Sequence, residues 1–138
     1  MALSRYCLDT TAYSQFKRGH PPVVDLIDRA EWIGIPSIVL GELWGGFLQG
    51  SLTDRNRQEL ERFLTHPSVE EIVVDRAVAP LYGEISVDLR KAGTPIPVND
   101  IWIAAAAAKT GAPVLTYDDH FGFVRRIDSI ILRAPHGG

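Results

Sequence analysis

Asp100-Ile101-Trp102-Ile103-Ala104-Ala105-Ala106-Ala107-Ala108-Lys109-Thr110-Gly111-Ala112-Pro113-Val114-Leu115-Thr116-Tyr117-Asp118-Asp119 sets a helical pattern directly against a strand. The run from Asp100 to Lys109 is dominated by alanine, the strongest helix former. It stops at Gly111, the residue type best suited to the left-handed turn that closes a helix. Pro113-Val114-Leu115-Thr116 then reads as a short strand that delivers the chain to Tyr117, Asp118 and Asp119. Small side chains let a helix pack closely on a sheet, so Trp102, Ile103 and the alanines are expected in the core.

Working outward, the same alternation repeats. Upstream, Val78, Leu81, Tyr82, Ile85 and Leu89 recur at helical spacing up to Gly93, with Pro80 near the start and Asp75 as the expected cap. Before them, Glu71-Ile72-Val73-Val74 reads as a strand, and Thr53 is the expected N-cap of a helix carrying Leu60, Phe63 and Leu64. Ser37 to about Leu48 is helical, Ile33-Gly34-Ile35 is a strand, and Val23, Val24, Leu26, Ile27 and Ala30 mark one more helix. Tyr6-Cys7-Leu8 is a short strand ending at Asp9, and Ile130-Ile131-Leu132 closes the chain. Strands alternating with helices predict an α/β fold, three layers deep, with a mainly parallel sheet covered on both faces.

The 138 residues match the size of one domain, 1–138. Apolar residues make up 46% and charged residues 22%, which excludes a disordered chain. A single cysteine, Cys7, permits no internal disulfide. Charges in the first twenty residues interrupt any leader-like apolar run, and Ile101 to Ala108 is too short to span a bilayer. A cytoplasmic setting without membrane contact is expected. Fourteen basic against seventeen acidic residues leave a net charge of −3, so bulk electrostatics is not the means of holding nucleic acid. Lys17-Arg18 and Arg125-Arg126 read as solvated charge.

The acids are more informative. In open α/β sheets, ligands bind beyond the carboxyl ends of the strands, and Asp9 and Asp118 stand at two such ends. Glu42 interrupts the apolar stretch Ile38-Val39-Leu40-Gly41-Glu42-Leu43-Trp44, where an unpartnered carboxylate is costly. Asp100, beside Asn99, opens the alanine-rich helix, where the helix dipole favours its charge. Taken singly, Asp9, Asp100 and Asp118 or Asp119 are also ordinary turn or cap residues. Brought together, four carboxylates need a cation: two charges about 4 Å apart repel by about 4 kcal/mol near a protein surface. Oxygen ligands alone suit Mg²⁺ or Mn²⁺. His20, His66, His120 and His136 show no zinc-type spacing, and His120 reads as a loop residue. There is no Walker loop and no nucleophile elbow.

Leu8-Asp9-Thr10-Thr11, Gly41-Glu42-Leu43, Pro97-Val98-Asn99-Asp100-Ile101-Trp102-Ile103-Ala104-Ala105 and Val114-Leu115-Thr116-Tyr117-Asp118-Asp119-His120-Phe121 resemble the motifs of PIN-domain ribonucleases. More narrowly, the chain resembles VapC-type toxins of toxin–antitoxin pairs over nearly its whole length. The resemblance implies a five-stranded parallel sheet, metal-dependent cleavage of RNA, a homodimer, and inhibition by a cognate VapB-type antitoxin. It implies Asp9 and Asp100 as direct metal ligands, with Glu42 and Asp118 completing the acidic cluster. Thr11, Asn99, Thr116 and Asp119 become supporting residues, and the phase of the strand end favours Asp118 over Asp119 as the fourth acid. Two other readings use the same residues: a PIN-like module that binds RNA or protein without cutting, and a Mg²⁺-dependent phosphatase acting through Asp9. Trp44 and Phe47 are either core or part of a dimer or antitoxin surface.

Overall fold

Strand β1 (Arg5–Leu8) occupies the middle of the sheet because both of its edges are taken. On one side it pairs in parallel with β2 (Trp32–Pro36), Cys7 opposite Gly34, and on the other with β4 (Val114–Thr116), Cys7 opposite Val114 and Leu8 opposite Leu115. β3 (Val69–Ile72) and β5 (Ser129–Ile131) add in parallel at the two edges, giving the order β3-β2-β1-β4-β5. The structure is a computed structural model describing residues 4–134; His136 lies outside the described residues.

Six helices cover the sheet: α1 (Thr10–Lys17), α2 (Pro21–Arg29), α3 (Ser37–Gln49), α4 (Thr53–Leu64), α5 (Ala79–Ala92) and α6 (Val98–Thr110). Alternation along β1 and β4 divides the core between two faces. Cys7 and Val114 join Val39, Ile85, Phe121 and the alanines of α6 in one cluster, which Ile35 also enters. Leu8 and Leu115 join Ala12, Val23, Ile27 and Ile33 in the other. Ala104 to Ala107 are wholly buried, as expected of a helix whose small side chains admit close packing. Trp102 stacks on Tyr82 of α5, centroids 4.1 Å apart. Gly93 and Gly111 adopt φ of +71° and +75° and end α5 and α6. Among the described residues no helix is long and apolar enough to cross a membrane.

Several local expectations are corrected. The strand expected at Glu71–Val74 is β3, two residues earlier, because its ladder on β2 ends where Ile72 faces Pro36 and the chain turns into α3. Thr53 is the first residue of α4 rather than its cap; its hydroxyl donates instead to the Phe47 carbonyl, 2.8 Å away. Asp75 caps the turn before α5 by accepting from Ala77 N–H, and Pro80 sits harmlessly in the first turn of that helix. Helix α1, which the sequence reading left out, is capped by Asp9. Arg126 is not merely solvated: it pairs with Glu84, 2.6 Å away, and with Asp88. Lys17 likewise reaches Glu59 at 3.2 Å.

Candidate metal centre

The parallel pairing of β1 with β4 puts the residues after both strands side by side. Asp9, immediately beyond β1, is 2% exposed. Its Oδ1 accepts the Ala12 N–H at 2.9 Å, the cap of α1, and the Thr11 hydroxyl at 2.8 Å. Its Oδ2 accepts the Thr116 hydroxyl at 2.6 Å. The same two threonines reach back to the loop after β4: Thr11 accepts the Tyr117 N–H and Thr116 the Asp118 N–H, each at 2.9 Å. Burial pushes the Asp9 carboxyl up to about 6, against the pull of these hydrogen bonds and with a further push from the charge of Asp100.

Helices supply two of the remaining acids. Asp100, third residue of α6, lies in its first turn. Its carboxyl is raised by burial and by the charges of Asp118 and Glu42, while a hydrogen bond from His120 opposes the shift. Glu42 projects from α3 and accepts the Thr10 hydroxyl at 2.6 Å and the Asn99 amide at 3.4 Å. It has the partners expected of it, yet it is exposed rather than buried. The premise of an apolar surrounding fails because α3 offers more apolar side chains than the core covers: Trp44 is 36% and Leu48 68% exposed.

Asp9, Glu42, Asp100 and Asp118 line one cavity of about 580 Å³ with Thr10, Thr11, Pro97, Val98 and Asn99. No lysine or arginine is among those residues. Asp119 is exposed and outside the lining, whereas Asp118 caps a 3₁₀ turn, Asp119–Phe123, by accepting the His120 N–H at 3.0 Å. Two residues of this neighbourhood escaped the sequence reading. Thr10 holds Glu42, and its signal was the unread helix that begins there. His120, expected in a loop, faces Asp100 and Asp118, and these three form a group able to hold a metal ion. The donor set fits a divalent cation, since mutually repelling carboxylates meet here with no lysine or arginine in the cavity lining.

Residues 6–127 match the model of the PIN domain family. The chain belongs to this family. This PIN domain is 32% identical over 115 residues to ribonuclease VapC5 of Mycobacterium tuberculosis, covering 83% of each chain. It superposes on VapBC2 of Rickettsia felis, a crystal structure bound to a promoter DNA fragment, with a TM-score of 0.79 and 27% identity, covering 91% of this chain and 97% of that one. VapBC-5 of M. tuberculosis, a member of the VapBC family of toxin–antitoxin systems, gives a TM-score of 0.69 at 26% identity, covering 94% and 99%. The five-stranded parallel PIN fold expected from the motifs is therefore the fold found.

Proposed function

We propose that this PIN domain is a toxin-type ribonuclease that hydrolyses RNA phosphodiester bonds with Mg²⁺ or Mn²⁺ held by Asp9, Glu42, Asp100 and Asp118. The observation that carries the site assignment is the meeting of these four carboxylates in one cavity with no lysine or arginine in its lining. Bound divalent ions activate water and offset the charge that develops on a phosphate under in-line attack. Asp9 is the fixed point, since its hydrogen bonds from α1 and from Thr116 leave it little freedom to swing. Thr11 and Thr116 support it, Thr10 and Asn99 orient Glu42, and Asp118 is the acid of its pair that faces the substrate. An Asp9 phosphatase leaves Glu42 and Asn99 without a task.

The relatives extend the reading to partners. A cognate VapB-type antitoxin restrains the enzyme in the cytoplasm, and the enzyme works as a homodimer. The uncovered apolar side chains of α3, Trp44 and Leu48, are surface of the kind that protein contacts cover.

The deciding experiment is cleavage of a mixed structured and single-stranded RNA pool with Mg²⁺, with Mn²⁺ and with EDTA, for the wild type and Asp100→Asn. Cutting that needs metal and is lost in a folded variant is the expected result. A folded, metal-binding wild type that leaves every RNA intact would favour the non-cutting module.

A further inference from the structure

His120 is the one imidazole that meets the carboxylates of the site among the described residues. Its Nδ1 hydrogen-bonds to Asp100 Oδ2 at 3.3 Å and lies 3.0 Å from Asp118 Oδ1. One ligand atom from each of the three residues falls within 4.8 Å of the others. Neighbouring ligand atoms of an octahedral ion stand apart by √2 times the bond length, about 3 Å for bonds near 2.1 Å. The imidazole nitrogen therefore sits at ligand spacing from both acids. Its position is fixed from two directions: Asp118 holds the His120 N–H at 3.0 Å, and the next residue, Phe121, is fully buried. His20 and His66 are engaged elsewhere, with the Tyr117 hydroxyl and the Ser68 N–H.

We propose that His120 is a nitrogen ligand of the metal site, forming with Asp100 and Asp118 a face of two oxygens and one nitrogen that favours first-row transition ions over Mg²⁺. The inference rests on the divalent-metal reading above. As a ligand, the His120 ring would offer a nitrogen lone pair to the cation in place of its hydrogen bond with Asp100. Imidazole suits transition ions, whereas Mg²⁺ takes oxygen ligands, so the nitrogen adds affinity for the former and almost none for the latter.

The test uses Mn²⁺ as its probe. Electron spin-echo envelope modulation of the Mn²⁺-loaded full chain is expected to show nitrogen coupling that changes on ¹⁵N-histidine labelling and vanishes in His120→Gln. In the same variant the Mn²⁺ dissociation constant is expected to rise roughly tenfold or more, with that for Mg²⁺ nearly unmoved. Bound Mn²⁺ without nitrogen coupling, or coupling that persists in His120→Gln, overturns the proposal and leaves the metal-dependent nuclease standing. A wild type that binds no Mn²⁺ overturns both.

Discussion

Asp9 is a buried acid that the fold both orients and strains. Its carboxyl is raised from an ordinary 3.8 to about 6, so in the metal-free protein ionisation opposes folding. The sign follows from linkage: stability from this group is complete below about pH 4, the unfolded value, and is lost as pH rises through the folded value. Metal-free wild type is expected to lose about 3 kcal/mol through this group between pH 4 and pH 7, and Asp9→Asn to give a correspondingly flatter curve in denaturant titrations. An equally steep curve in the variant would place the strain elsewhere. Thr116, itself fully buried, offers a complementary test. Thr116→Val keeps the shape but removes the hydroxyl that ties Asp9 to the loop after β4, and Mn²⁺ affinity by calorimetry is expected to fall roughly tenfold. These acids were legible from the sequence because strand ends and a helix start announce themselves. Thr11 and Thr116 were legible only as supporters, Thr10 not at all because its helix went unseen, and His120 not at all because a 3₁₀ turn leaves no periodic trace.

Among the elements, the helices of the second half were the plainest to read: α6 through its alanines and α5 through its apolar face, both through terminal glycines. Less legible were α1, whose cap Asp9 is easily read as a strand-end turn residue, and β3, whose extent is set by its neighbour. Val73 has strand propensity but no partner beyond Ile72, and it is 54% exposed. Glycine separates the two kinds of helical position. At Gly111 an added Cβ meets nothing within 4 Å, but φ is +75°, so Gly111→Ala is expected to cost about 1 kcal/mol through backbone strain alone. Gly83, within α5, also has open space and no positive φ, so Gly83→Ala is expected to stabilise by about 0.5–1 kcal/mol. Paired thermal melts check both, and the same sign at the two positions would contradict the argument.

At the scale of the molecule, the proposed metal binding is linked to folding, because the cavity exists only in the folded chain. Mn²⁺ at a hundred times its dissociation constant is expected to add about 2.7 kcal/mol to stability, read as a concentration-dependent rise in melting temperature that Asp9→Asn abolishes. An equal rise in that variant would locate binding at another site. The sheet order carries a consequence for synthesis. Because β1 lies between β2 and β4, Cys7 pairs with Val114, and Asp9 obtains its Thr116 hydroxyl only when the chain beyond residue 116 is in place. A nascent chain that has been made only through α5 holds Asp9 and Glu42 but neither Asp100 nor Asp118. If the proposed site needs all four acids, a ribosome carrying a chain that stops short of Asp118 faces no finished cutting site; the sheet order places the closing of that site after β4 has been made.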